Sequence, residues 1–227
     1  MRIHLEVNSL IIVESRNDQF FIEKLKDFLN FDKNNDVQPI CNDSTDFECL
    51  SGGIDKIKLK LSVIKYDQYD KIGIVLDADS DGIEKKLELI NEKLKHKTVD
   101  IDIKFSKINE LIYSKNKDVH FAVYITNVDG KGELETLLRK VKNKDSNHAD
   151  CLEAWRNCLQ SKKVEITDKD FNKFWVNNYL RFDTCNKNER RQAGIKCMGE
   201  LAIKKDIWDL NHPLLTDLKE FLTIICS

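Results

Sequence analysis

Three alternate carboxylates, Asp77, Asp79 and Asp81, follow directly on the apolar run Ile72, Ile74, Val75 and Leu76, and Gly82 closes the series. Residues two apart on an extended chain project to the same side, so Asp77 and Asp79 are expected to share one cation. Glu14 ends a second apolar run, Ser9 to Val13, and Asp18 stands four residues further on at a helix start. Carboxylates gathered at one sheet edge repel one another unless a cation neutralises them. Two or three of them with bound waters make an open Mg2+ site, the kind that activates water and clamps phosphate oxygens. Taken alone, Asp79-Ser80-Asp81-Gly82 reads equally well as a turn capping the next helix. Glu14 tips the balance toward the metal.

For these acids to meet, the two runs must be neighbouring parallel strands. The run 72–76 is short, β-branched and almost continuously apolar, which suits a strand buried on both faces. After Glu14, residues Phe20, Phe21, Leu25, Phe28 and Leu29 recur at helical spacing, with Asn17 or Asp18 as the cap. Val37 to Cys41 is expected to be the next strand, and Ile54 to Tyr66 a helix presenting Ile57, Leu61 and Ile64. A helix from Glu84 to Lys97 follows, then an alternating stretch (Val99, Ile101, Ile103, Phe105) that reads as an edge strand. Phe121 to Ile125 is a further buried strand, and Glu133 to Val141 a further helix. Strands alternating with helices predict an α/β fold, a mostly parallel sheet with helices on both faces. Beyond the polar stretch 142–150 the pattern is helical only: Cys151 to Leu159, Asp168 to Phe182, Arg190 to Ala202 and Leu214 to Ile225. The expected division is an α/β domain over 1–145 and a helical C-terminal lobe over 146–227.

Composition narrows the function classes without choosing one. The 227 residues suffice for one large domain or a domain with an appended lobe. With 37 basic against 39 acidic residues, net charge is −2, so the chain lacks the overall basic surface typical of duplex binders. Seven cysteines without a C-x-x-C pair indicate neither a zinc site nor a disulfide framework. No stretch resembles a signal peptide or a membrane span, so a cytoplasmic protein without membrane contact is expected. Trp155, Trp175 and Trp208 occupy apolar positions of the tail helices and are expected in the core. Gly52 and Gly53 precede a helix, where backbone N–H groups can take a phosphate or simply form a turn. Residues 77–88 also satisfy the spacing of a helix–loop–helix calcium site ending at Glu88. That loop joins two helices, whereas a strand run precedes this one, so the calcium reading ranks below the sheet-edge site.

Five short motifs occur in one order: Val13-Glu14-Ser15-Arg16-Asn17-Asp18, Gly52-Gly53-Ile54-Asp55-Lys56, Asp77-Ala78-Asp79, Gly132-Glu133-Leu134-Glu135, and Ala202-Ile203-Lys204-Lys205 with His212-Pro213-Leu214. This series resembles the Toprim domain of primases, topoisomerases and OLD-family nucleases, and more closely the small stand-alone Toprim-like proteins related to the OLD nucleases. The resemblance implies a Toprim-like, Rossmann-like sheet and phosphodiester chemistry on nucleic acid, DNA or RNA, with Mg2+ or Mn2+ as cofactor. A nuclease acting in defence against mobile elements is the implied role. Glu14 is then a metal ligand or general acid/base, Asp77 and Asp79 metal ligands, and Asp18 and Asp81 supporting ligands. Glu135 is implied as a further ligand, although it also suits a helix cap. Lys173 is implied to steady transition-state charge, although it also suits a solvated helix face. A non-catalytic Toprim-fold subunit working with a partner such as an ATPase is the alternative. Ser15 departs from the glycine usual at its position, which raises the question of how the turn is made.

Overall fold

The computed structural model describes residues 8–31, 35–40, 53–191, 197 and 199–227. Its strands are β1 (Ser9–Val13), β2 (Asn35–Pro39), β3 (Lys71–Asp77), β4 (Ile112–Ser114) and β5 (Val119–Thr126), ordered β2-β1-β3-β5-β4 in one sheet. The first three and β5 are parallel, and β4 is an antiparallel edge on β5. The expected α/β fold is therefore observed.

Alternate side chains of the central strands serve two cores, which explains why their sequences are apolar without a break. On one face, Ile11, Val13, Val75 and Tyr124 pack with Phe20, Phe21 and Leu25 of α1 (Arg16–Phe28). On the other, Ile12, Ile72, Ile74 and Val123 pack with Ile57 and Leu61 of α2 (Gly53–Ser62) and with Leu87, Ile90 and Leu94 of α3 (Ile83–Leu94). Cys41, the expected end of β2, lies outside the described residues.

The alternation at 99–105 marks burial but not a strand. Val99, Ile101, Ile103 and Phe105 all enter the second core. The backbone of Phe105 is satisfied by a side chain instead: its N–H donates to Asn91 Oδ1 (2.8 Å) and its carbonyl accepts from Asn91 Nδ2 (2.9 Å). The edge position belongs to β4.

The tail comprises α4 (Leu134–Lys140), α5 (Asn147–Asp150), α6 (Leu152–Ser161), α7 (Asp168–Asn178), α8 (Lys187–Arg191), α9 (Gly199–Ile203) and α10 (Thr216–Cys226). Trp175, Trp208, Phe221 and Ile225 join the same core as Ile11 and Val75, so this core runs unbroken across residue 146. Helix α10 lies on β3 at Gly73, where a Cβ would stand 2.7 Å from Phe221 Cζ. Three expectations for the tail are corrected. The helix expected over 168–182 changes at Tyr179 to a π-helical turn (Tyr179–Asp183), and that expected over 190–202 is divided into α8 and α9. Trp155 is 39% exposed, because none of the residues of α6 is fully buried. Cys185 and Cys197, both buried, form a disulfide, a pairing that their separation of 12 residues did not announce. Among the described residues no helix is long and apolar enough to cross a membrane.

Candidate functional site

The parallel pairing of Val13 with Val75 brings the carboxyl ends of β1 and β3 side by side. Glu14, just past β1, turns across this gap, and its Oε2 accepts the N–H of Asp77 at 3.1 Å. The next residue answers the question of the missing glycine. Ser15 has φ −134° and ψ 171°, ordinary extended backbone, and it is the N-cap of α1, a role the sequence suggested for Asn17 or Asp18. Ser15 Oγ accepts the N–H of Asp18, while the Asp18 carboxylate accepts from Ser15 N (2.9 Å) and Ser15 Oγ (2.6 Å). This reciprocal capping box folds Asp18 back toward Glu14, where it is only 4% exposed.

Asp77, also buried, accepts the N–H of Leu134 through Oδ1 at 3.1 Å. It thereby anchors the first residue of α4 and draws Glu135 toward the same edge. Burial, with the charges of Glu14 and Glu135, outweighs the Ser15 hydrogen bonds and pushes the Asp18 carboxyl up from 3.8 to about 7. Burial, then the charges of Asp18, Glu14, Glu135 and Asp79, holds the Asp77 carboxyl well above its ordinary range. Glu14, Asp18, Asp77 and Glu135 thus form one electrostatic group drawn from β1, α1, β3 and α4.

Asp79 has other hydrogen-bond partners than Asp77. Its φ is +51°, so the extended chain ends at Asp77 and Asp79 sits in a turn. The turn is fixed by backbone pairing between Asp79 and Gly132, N to O at 2.8 Å in both directions. Gly132 is itself at φ +97°, where a Cβ would meet the Thr136 side chain at 2.9 Å. The Asp79 carboxylate accepts from Lys86 Nζ and Lys169 Nζ, each at 2.5 Å. Burial raises its pKa, but the two lysines win and hold it below the usual carboxylate value.

The other expected residues fall around this pair. Asp81 is exposed and lines a cleft of about 850 Å3 together with Asp79, Glu133, Arg139, Lys140 and Lys169. Lys173 is exposed on α7, and Lys169, one turn earlier, is the lysine that meets the acids. Residues 77–88 are not a helix–loop–helix, since Asp77 ends a strand and Glu88 is exposed on α3. Gly53 opens α2, and Gly52 lies outside the described residues. Two members had no individual role in the sequence reading. Glu133 is 3% exposed, its Oε1 is buried without a hydrogen-bond partner, and burial with the nearby Glu135 raises its pKa. Its signal was the alternation Glu133-x-Glu135 after Gly132; the second member, Lys169, had none.

As placed, no three Asp, Glu, His or Cys side chains among the described residues are grouped so that they could hold a metal ion. Backbone N–H groups hold Glu14 and Asp77, and lysines hold Asp79. The donor set nevertheless suits a hard divalent cation: all donors are carboxylate oxygens, two carboxyls are made costly to ionise, and Glu133 Oε1 is orphaned. Such an ion would be held by Glu14, Asp18, Asp77 and Glu135, with Asp79 and Glu133 beside them.

No curated protein matches the chain. Among solved structures, a hypothetical protein from Pyrococcus horikoshii OT3 is similar at 18% identity and a TM-score of 0.46, over 96% of this chain and 94% of that one. The C-terminal region of the Xanthomonas campestris pv. campestris OLD protein is similar at 10% identity and a TM-score of 0.41, over 98% of this chain and 96% of that one. Residues 8–227 match the family DUF3226, described as a protein of unknown function, and the chain belongs to that family.

Proposed function

We propose that the sheet edge is a Mg2+ or Mn2+ site and that the protein is a cytoplasmic, Toprim-type nuclease acting on nucleic acid. One observation carries the reading: Glu14, Asp18, Asp77 and Glu135, from separate elements, interact electrostatically at one sheet edge, and burial and like charges raise the pKa of Asp18 and Asp77. Perturbed acids of this kind cluster at functional sites. The order of the Toprim-like motifs supports the same reading. A bound divalent ion supplies charge neutralisation, a polarised phosphate oxygen and an acidified water.

The chain's own groups do the rest. Ser15 orients Asp18, and the Leu134 N–H orients Asp77. Lys169, exposed on one side and salt-bridged to Asp79 on the other, is placed to meet a phosphoryl oxygen, the role implied for Lys173. Arg139 and Lys140 line the adjoining cleft and supply phosphate contacts. Titrating Mn2+ into wild type, Glu14→Ala and Asp77→Ala, alongside cleavage of labelled DNA and RNA, tests the reading. Both variants should lose the wild-type binding isotherm and cleavage. Full binding and cleavage in Asp77→Ala would refute it. Mn2+ binding without cleavage of either substrate would favour the non-catalytic subunit instead.

A further inference from the structure

Cys185 and Cys197 stand at the two ends of the segment that carries α8, and both flanks are held by contacts other than the bond between the sulfurs. Before Cys185, Thr184 N donates to Tyr179 O at 3.0 Å and Thr184 Oγ1 donates to Leu180 O at 2.9 Å, which closes the π-helical turn. After Cys197, Ala202 and Ile203 of α9 are buried in the core that α1 shares. Lys24 Nζ on α1 donates to Lys204 O (2.9 Å) and Asp206 Oδ1 (2.8 Å), and Trp208 Nε1 donates to Ile203 O at 2.8 Å. Tyr179 joins the flanks directly, its hydroxyl donating to Ile207 O at 2.9 Å. Flanks anchored in this way keep the two sulfurs near each other when the bond is open, so that it can close again.

Lys205 singles out one of the two sulfurs. Its Nζ lies 3.0 Å from Cys185 Sγ and 3.2 Å from Glu189 Oε1, so a carboxylate on α8 helps to hold the ammonium at the sulfur. A cation at that distance favours the thiolate over the thiol, and the thiolate is both the nucleophile and the better leaving group. Both cysteines are buried, which restricts the pair to small reagents. Cys151 and Cys158, by contrast, are exposed and carry free thiols. One chain therefore holds surface thiols beside a closed disulfide.

We propose that Cys185 and Cys197 are a reversible oxidation site whose oxidant is hydrogen peroxide. The Cys185 thiolate attacks one peroxide oxygen, the O–O bond breaks, and the departing hydroxide takes up a proton to become water. Cys185 is then a sulfenic acid. The Cys197 thiol attacks its sulfur, the S–S bond forms as the S–O bond breaks, and the hydroxyl leaves with the Cys197 proton as a second water. Two electrons pass from the two thiols to the peroxide. A dithiol reverses the step by two exchanges, leaving both cysteines reduced and itself a cyclic disulfide. The reversible role rests on the cytoplasmic placement proposed above, because thiols there are kept reduced and a disulfide is usually transient. The carboxylates of the sheet edge take no part.

The test is maleimide tagging with peptide mapping of the full chain carrying Cys151→Ser and Cys158→Ser, so that the surface thiols do not react. Dithiothreitol without denaturant should expose Cys185 and Cys197 to the tag while circular dichroism stays native, and hydrogen peroxide should then restore the 185–197 cross-link. Lys205→Met should slow that closure about 3-fold at neutral pH, since the loss of thiolate is partly offset by higher nucleophilicity. Lys205→Arg should keep the wild-type rate. A bond that opens only in urea, a reduced protein that loses its fold, or peroxide that carries Cys185 to the sulfinic acid without the cross-link overturns the proposal. Any of these with Mn2+ binding and cleavage intact leaves the nuclease reading standing. A pair that opens and closes in a protein that neither binds Mn2+ nor cleaves nucleic acid sinks the nuclease reading and leaves the oxidation site.

Discussion

Asp18→Asn should stabilise the metal-free protein, although Asp18 is buried and hydrogen-bonded. The amide keeps the shape of the carboxylate, and its Oδ1 can still accept from Ser15, so the cap of α1 survives. What disappears is a charge held beside Glu14, Glu135 and Asp77. Burial and these neighbours move the Asp18 carboxyl from 3.8 to about 7. At about 1.36 kcal/mol per pKa unit, keeping Asp18 ionised in the fold costs about 4 kcal/mol at pH 8.

The sign follows from proton linkage. The folded state holds the proton more tightly than the unfolded state, so stability falls as pH rises from 3.8 toward 7 and levels off above. At pH 4.5 the same cost is only about 1 kcal/mol. If half of the pH 8 cost is recovered in the variant, Tm rises by about 4–8 °C for a chain of this size. Thermal unfolding of both proteins in EDTA at pH 8 and pH 4.5 measures the effect, and the gain should shrink at the lower pH. With excess Mn2+ at pH 8 the order should reverse, because ligand binding stabilises wild type by about 2.7 kcal/mol at one hundred times Kd. A variant less stable than wild type in EDTA at pH 8, or a gain independent of pH, would refute the reasoning.

Three further outcomes follow from packing and from the lysines. Gly73→Ala places a Cβ 2.7 Å from Phe221 Cζ, and should lower the urea unfolding free energy by about 1–3 kcal/mol, with partial recovery on adding Phe221→Leu. Asn91→Ala strips both partners from the Phe105 backbone and should cost about 2–3 kcal/mol, with hydrogen exchange accelerated across 99–105. Lys169→Met should lower metal-dependent cleavage on the order of 10²-fold, while Lys173→Met stays near wild type; equal effects would remove the distinction between the two lysines.

The edge of acids was legible because β1 and β3 are buried on both faces, so that each strand's end is written as an abrupt change from apolar to charged residues. Which acids share a point was not legible. The turn at Asp79 has a positive φ and is fixed by backbone pairing with Gly132, a residue distant in sequence. The alternation at 99–105 recorded burial faithfully, yet the partner of the Phe105 backbone is the Asn91 side chain, which no period reveals. Ser15 fills its position because the turn needs extended backbone and a cap there, not a left-handed residue. Choosing Lys169 over Lys173 required the rotation of α7 against the sheet, which amphipathic spacing leaves undetermined by one turn.

The two lysines on Asp79 differ in a way that bears on how such a site opens. Lys86 has 7% of its side chain exposed, so separating it from Asp79 would leave a buried ammonium without its partner. Lys169 has 46% exposed and can exchange the carboxylate for water at little cost. Lys86 therefore fixes Asp79 in its turn, whereas Lys169 is the partner that can leave. Burial and like charges favour the protonated forms of Asp18 and Asp77, whereas the lysines favour the charged form of Asp79. These are two ways of doing the same electrostatic work at one sheet edge, and both are reversible. On the proposed reading, the inner carboxylates would give up a proton and Lys169 would leave Asp79 for a cation to be held there. Lys169 would then stand beside the cleft that Arg139 and Lys140 also line. On that reading, Lys169 is therefore the side chain whose release would open the Asp79 carboxylate to a cation.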